Sequence, residues 1–405
     1  MTEAAPAAAW EPRYARRAGR MAASEIRELL KVVDQPGVLS FAGGIPDPAL
    51  FPVEEAKAAY AAVLGAPTNG LQYSVSEGYL PLRQWIARHM GSLGVPCDAD
   101  NIIVTCGSQQ GLEFLGRLLL SPGDTALVAA PTYLGAPQAF SGSEPRYDEL
   151  RPEDGNRTPA SYADAARSAG GEVKLAYVVP DFANPTGETL SLAARVRLLD
   201  LAGEQDIPII EDAAYAMLRF GGRPVPPILA LEVERRGSVE KARAVYCGTF
   251  SKVLSPGLRV GWIVAPKVLI RRLVLIKQAS DLNSATINQM VMLRLAETAF
   301  DRQVARARTH YRSRRDWLLA ALQRHMPAGV SWTHPQGGLF VWVTLPEGID
   351  AAALLQRSLK EAGVAFVPGG AFLHDGRGRN TLRLSYSLPG EADIDRSIAR
   401  LAQLI

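Results

Sequence analysis

Gly248-Thr249-Phe250-Ser251-Lys252-Val253-Leu254-Ser255-Pro256-Gly257-Leu258-Arg259-Val260-Gly261 sets a lysine among small hydroxyl residues, with an arginine seven positions on. An amine, hydroxyls and a guanidinium in one short turn meet the needs of pyridoxal 5′-phosphate. The amine forms a Schiff base with the aldehyde, and the other groups hold the phosphate. Alone, the segment also reads as a basic turn between two strands. The runs that flank it decide between the two readings.

Around this turn, short apolar runs at 102–105, 126–129, 175–179, 207–210, 244–247 and 260–264 alternate with helical patterns such as 109–120 and 191–204. Continuous apolar strands joined by crossover helices predict an α/β fold with a mainly parallel sheet covered on both faces. Ligands in such folds sit beyond the C-terminal strand ends. Downstream, a long helical stretch covers 286–325. A strand at 337–343, a helix near 351–362 and a strand at 382–386 predict a smaller α+β domain. Near the start, Ser24 is placed to cap a helix carrying Ile26, Leu29, Leu30 and Val33, which Pro36-Gly37 stops.

Candidate site residues fall just after these strands. Thr105-Cys106-Gly107-Ser108-Gln109-Gln110 is a Gly-containing turn that opens a helix, whose free N–H groups suit a dianion. Ser108 also reads as a plain N-cap; Thr249, Ser251 and Arg259 supply the donors that make an anion site specific. A pyridine ring acts as an electron sink when its nitrogen stays protonated, which requires a carboxylate; Asp212, at the end of Ile210-Glu211-Asp212, is placed for it. Tyr215 and Asn184, the latter in Asn184-Pro185-Thr186-Gly187, are candidates for the phenolic oxygen, and Tyr133 for stacking on the ring. Arg383, between Leu382 and Leu384, offers a fork for an α-carboxylate, against the plainer reading of a surface strand charge.

Bulk composition sets bounds. The chain has 405 residues, 47% hydrophobic and 21% charged, with a formal net charge of +3, so nothing calls for nucleic acid or a membrane surface. Cys97, Cys106 and Cys247 are isolated and read as buried free thiols in a reducing cytoplasm. The five histidines lack ligand spacing, so no metal site is expected. The Ala-rich start lacks a basic n-region and a long apolar core, and no run approaches a membrane span.

Together these residues resemble the class I/II aminotransferases of fold type I, over about Arg20 to Leu401. The likeness is closest to the 2-aminoadipate and kynurenine branch. Ala23-Ser24-Glu25-Ile26-Arg27-Glu28-Leu29-Leu30, Ser40-Phe41-Ala42-Gly43-Gly44-Ile45-Pro46, Leu71-Gln72-Tyr73-Ser74 and Val367-Pro368-Gly369-Gly370 carry it beside the motifs above. The resemblance implies a seven-stranded sheet in a large cofactor domain over 51–295. It implies a small domain over 296–405, joined by an N-terminal arm and mobile helix over 1–50. It implies pyridoxal 5′-phosphate bound through Lys252, which would also shuttle the proton from the substrate Cα to the cofactor. Asp212 would pair the pyridine nitrogen, Tyr215 with Asn184 would hold the phenolic oxygen, and Tyr133 would stack. Gly107, Ser108, Gln109, Thr249, Ser251 and Arg259 would form the phosphate site. Tyr73 would reach the neighbouring subunit's phosphate and substrate, which implies a homodimer with shared sites. Arg383, Asn184 and Gly43 would meet the substrate, and Arg27 a distal carboxylate.

Two positions depart from the family pattern. Ala183 stands where glutamine is common, and Ala213 where a second acidic residue is usual. The implied reaction moves the amino group of an L-amino acid (2-aminoadipate, aromatic, branched-chain or otherwise long) to a 2-oxo acid, with 2-oxoglutarate the expected acceptor. The same scaffold also suits a lyase, decarboxylase or oxidase. An effector-sensing regulator is the remaining alternative, disfavoured because only about forty residues precede the Gly43-Gly44 loop.

Overall fold

A computed structural model describes residues 10–20, 37–67, 70–373 and 376–405. Arg27 and the helix expected after Ser24 lie outside the described residues.

Seven strands form the central sheet: β1 (Ile102–Thr105), β2 (Thr125–Ala129), β3 (Arg146–Leu150), β4 (Val173–Val178), β5 (Ile209–Asp212), β6 (Ala244–Thr249) and β7 (Gly261–Val264). Their order across the sheet is β1-β7-β6-β5-β4-β2-β3. From β6 to β3 every pair is parallel; β7 runs antiparallel to both β1 and β6. Strands β1, β5, β6 and β7 are buried at every residue, which is why β1, β6 and β7 read as largely apolar runs. The mainly parallel α/β expectation holds.

Two details of this sheet differ from the sequence reading. Strand β3, Arg146-Tyr147-Asp148-Glu149-Leu150, was not expected, because an edge strand needs no apolar run and charged side chains protect it from pairing with other chains. The apolar run at 207–210 ends too early, since β5 continues through Glu211 and Asp212. Buried carboxylates are tolerated when partnered. Glu211 accepts the N–H groups of Ile228 and Leu229 at 2.9 and 3.0 Å, at the start of the helix Ile228–Arg236.

Helix α1 (Ser108–Leu119) follows β1, and α2 (Leu192–Gln205) is capped by Ser191, whose hydroxyl accepts the Ala194 N–H at 3.1 Å. The single helix expected over 286–325 is two, α3 (Thr286–Thr298) and α4 (Phe300–His325), which part at Ala299 with φ −129°. That turn brings Phe300 edge-on to Trp85 at 5.0 Å and to His89 at 5.3 Å. Helix α4 packs along α5 (Glu391–Ala402).

A second, antiparallel sheet has the order β10-β11-β9-β8, made of β8 (Ser331–Trp332), β9 (Phe340–Thr344), β10 (Val367–Pro368) and β11 (Thr381–Ser385). The short segment Leu39–Ser40 pairs in parallel with Val364–Ala365 as a separate two-stranded sheet, just before β10, which holds the chain ahead of the Gly43-Gly44 loop. Among the described residues no helix is long and apolar enough to cross a membrane. All three cysteines are free, but only Cys247 is buried: Cys106 sits on the exposed turn between β1 and α1, and Cys97 is partly exposed.

Candidate active site

The turn after β6 is closed by its own side chains. Thr249 Oγ1 donates to Ser251 Oγ at 2.8 Å and accepts the Ser251 N–H at 3.1 Å. The Phe250 N–H reaches the Val260 carbonyl at 3.2 Å. Lys252 leaves this turn and donates to the Gly44 carbonyl at 3.3 Å. Part of its side chain remains accessible, yet the amine is desolvated, and burial pushes its pKa down to about 8. The Asp212 charge opposes that shift, while Arg259 and Arg383 reinforce it.

A cavity of about 140 Å³ joins Lys252 to Ser108, Gln109, Tyr133, Asp212, Tyr215, Thr249, Ser251 and Arg259, with Val179, Ala214 and Pro256 completing the wall. At one end are the N-terminal turn of α1, the Thr249 and Ser251 hydroxyls and the Arg259 guanidinium. Arg259 adopts the left-handed region at φ 53°, a conformation costing roughly 1–2 kcal/mol for a residue with a Cβ. Its guanidinium donates to the Pro256 and Cys106 carbonyls at 3.3 and 3.2 Å and faces no carboxylate within salt-bridge distance among the described residues. Gly107, at φ +75°, has to be glycine: an added Cβ would lie 2.4 Å from Arg259 Nη2. Behind the turn, the buried Lys277 donates to Gln110 Oε1 at 3.1 Å, and that oxygen accepts the Cys106 N–H at 2.8 Å.

Asp212, which lines the same cavity, is 2% exposed. Burial pushes its carboxyl up to about 6; hydrogen bonds from Tyr177 and the Ala214 N–H, and the Lys252 charge, pull the other way. The carboxyl is therefore mostly ionised at neutral pH. Tyr215 lies with its ring 5.5 Å from Lys252 Nζ, and burial raises its phenol. Tyr133 donates to Gln109 Oε1 at 3.2 Å, and Gln109 donates to the Gly135 carbonyl at 2.5 Å.

Arg383 is not the surface charge of the plainer reading but is 1% exposed on β11. It donates to Asn184 Oδ1 at 2.6 Å and to the Ala42 carbonyl at 2.5 Å, and lies over the rings of Phe340 and Phe372 at 4.4 and 5.1 Å. Its Nε is buried without a partner, and no carboxylate stands within salt-bridge distance among the described residues. Burial lowers its pKa to about 10. A buried, uncompensated guanidinium is a costly arrangement that a carboxylate ligand would relieve. Asn184 also hydrogen-bonds Tyr215, so it links the Arg383 fork to the cavity. Gly43 lies in the Ala42–Gly44 loop, whose carbonyls receive Arg383 and Lys252.

Not every expected residue comes together here. Tyr73 is 78% exposed and lines no part of this cavity. Ala183 contributes a methyl to a neighbouring cavity of about 730 Å³ that shares Tyr133 and Val179 with the first. Sequence reasoning missed Tyr177, Ala42, Gly44 and Phe340. Tyr177 had a signal: it is the lone hydroxyl inside the apolar run that leads to the Asn184 turn. Among the described residues no group of side chains could hold a metal ion.

These residues fit pyridoxal 5′-phosphate: one cavity holds an amine with a lowered pKa, a buried carboxylate, two phenols and a cluster of anion donors. The comparisons with known proteins agree. The family model described as "Aminotransferase class I and II" matches residues 37–401. An "Aromatic-amino-acid aminotransferase 1" from Thermococcus litoralis is 40% identical over 407 residues, covering 99% of this chain and 96% of its own length. A "2-aminoadipate transaminase" from Thermus thermophilus is 41% identical over 397 residues, covering 98% and 97%. The crystal structure of LysN, an alpha-aminoadipate aminotransferase from Thermus thermophilus complexed with N-(5′-phosphopyridoxyl)-L-leucine, superposes with a TM-score of 0.87 at 39% identity, covering 98% of each chain.

Proposed function

Since this chain belongs to the class I and II aminotransferases, pyridoxal 5′-phosphate enzymes of fold type I, we propose that it moves the α-amino group of a long-side-chain L-amino acid to 2-oxoglutarate at the cavity around Lys252. The candidate donors are 2-aminoadipate and aromatic or branched-chain amino acids. One observation carries the reading: Lys252, Asp212 and the phosphate-type donors line a single cavity, with the uncompensated Arg383 fork beside it.

When bound, the cofactor supplies an aldehyde that condenses with amines and a ring that withdraws electrons from the substrate Cα. The residues divide the rest. Ser108, Gln109, Thr249, Ser251 and Arg259, with Gly107 allowing their close approach, hold the phosphate. Tyr133 stacks, Asp212 keeps the ring nitrogen protonated, and Tyr215 with Asn184 holds the phenolic oxygen. Arg383 and Asn184 take the substrate α-carboxylate, beside the Gly43 loop. Lys252 Nζ then removes the proton from the substrate Cα. An amine whose pKa lies near 8 is suited to this, because it is a usable base without being permanently protonated.

A homodimer with shared sites belongs to the same reading. Leu71, Tyr73 and Val75 are 70, 78 and 55% exposed in one short stretch. An exposed apolar stretch of this kind suits burial against a second copy, where Tyr73 would reach the partner's site. The arginine at position 27 is assigned to a distal substrate carboxylate by resemblance alone.

Two measurements test the proposal. With amino acid alone, a transaminase stops after one equivalent of 2-oxo acid per site and regains the cofactor's visible absorbance when 2-oxoglutarate is added. Continuous turnover without a second keto acid would show a lyase, decarboxylase or oxidase instead. The second concerns Lys252 itself. Capture of the aldehyde requires the neutral amine, so the rate at which apoprotein takes up cofactor should rise about tenfold per pH unit below 8 and level off above it. A rate, followed by stopped-flow absorbance, that still rises about tenfold per unit between pH 8 and 10, as for an ordinary lysine, would contradict the desolvated lysine.

A further inference from the structure

Tyr177 lies on β4 and pairs in register with Ile210 of β5. Side chains alternate along a strand, so Tyr177 shares its sheet face with Asp212, two residues beyond Ile210. Its hydroxyl donates to Asp212 Oδ2 at 2.9 Å. The ring is fully buried and is met edge-on by Phe140, at 6.0 Å and an interplanar angle of 84°. Phe140 in turn packs against Gly116, where an added Cβ would come within 2.7 Å of its ring. The phenol therefore has little freedom to turn away from the carboxylate.

We propose that Tyr177 is a positioning residue: its hydroxyl fixes the rotation and the ionised form of the Asp212 carboxylate that serves the cofactor's ring nitrogen. The proposal rests on the aminotransferase reading for its consequence, but not for its geometry. Several groups face Asp212. Tyr177 comes from β4 and Cys247, the register partner of Asp212, from β6, while Lys252 and Tyr215 line the same cavity; Tyr246 pairs with Glu211 and lies on the other sheet face. Of these, Tyr177 is the one whose side chain donates a hydrogen bond to the carboxylate. Burial raises the Tyr177 phenol well above its ordinary range, so the hydroxyl stays protonated and remains a donor at every working pH. A donor to a carboxylate favours its charged form, and without it the shared proton would move from the ring nitrogen toward Asp212.

The test uses full-length apoprotein first. Aspartate labelled with 13C at the side-chain carboxyl, with Asp212→Asn to assign the resonance, follows the Asp212 titration by NMR. In Tyr177→Phe the midpoint should rise by about one pH unit or more, since a hydrogen bond to a charged group is worth about that much. Site-specific 3,5-difluorotyrosine at position 177 keeps the shape and is a stronger donor, so the midpoint should fall. In the holoenzyme, Tyr177→Phe should lower kcat about tenfold with the amino-acid KM little changed, and the ring-nitrogen 15N shift should move toward the unprotonated value. An Asp212 midpoint unmoved by the difluorotyrosine, or by a folded Tyr177→Phe protein, would overturn the proposal. If the wild-type enzyme transfers no amino group, the functional reading fails while the apoprotein titration still decides the role of Tyr177.

Discussion

Lys252→Ala is expected to abolish the absorbance band of the Lys252 Schiff base and to lower turnover by roughly 10⁴-fold or more. Two losses combine. The amine that captures the aldehyde disappears, and so does the base for the substrate Cα proton, a function worth about 10²–10⁴ by itself. The phosphate end is untouched, because Ser108, Thr249, Ser251 and Arg259 keep their places. Cofactor should therefore still bind, but dialysis should remove it and borohydride should leave no label on the peptide around position 252. Lys252→Arg separates charge from chemistry: a guanidinium stays protonated and is a poor nucleophile, so it should be as inactive as alanine. A small exogenous amine should restore part of the proton transfer to Lys252→Ala and none to a protein that has lost its fold. Wild-type turnover by Lys252→Ala would end the assignment.

The legible parts of this protein are those where one physical demand dominates. Buried parallel strands must be apolar throughout, so β1, β6 and β7 stand out as runs. Edge strand β3 answers a different demand, protection from pairing, and its Arg146, Asp148 and Glu149 hide it. The lysine turn is legible because small hydroxyls, a lysine and an arginine seldom coincide for structural reasons alone. Arg383 was legible as a residue but not as an environment. Alternation with two leucines suggests one exposed face, whereas β11 is covered on both, with Phe340, Phe372 and the Ala42 loop enclosing the guanidinium. Tyr177 shows a third limit. Its role depends on register between β4 and β5, a long-range pairing that no local pattern encodes. Tyr73 is the converse: its motif is local, but its place is on the surface of this chain, outside the Lys252 cavity.

Asp212→Ala tests the electronic half of the site. Asp212 is held away from water, beside Tyr177 and Cys247, where an ionised carboxylate is stable only with compensation. A protonated ring nitrogen supplies that compensation, and the carboxylate in turn keeps the nitrogen protonated. Breaking a buried ion pair of this kind costs about 3–5 kcal/mol, which corresponds to a fall of roughly 10²–10⁴ in kcat if the protonated ring is needed only when the Cα proton leaves. Asp212→Asn is the sharper variant, since it keeps the size and a hydrogen-bond acceptor for Tyr177 but carries no charge. It should fall about as far as Asp212→Ala. In both, kcat should drop while KM for the amino acid moves little if, as proposed, Arg383 and Asn184 take the α-carboxylate, since neither variant touches that pair. Cofactor methylated on its ring nitrogen bears a fixed positive charge and should recover part of the rate in Asp212→Ala, an outcome that a merely structural carboxylate does not predict. Near-normal kcat in Asp212→Asn, or no recovery with the methylated cofactor, would mean that the ring is held protonated by something other than Asp212.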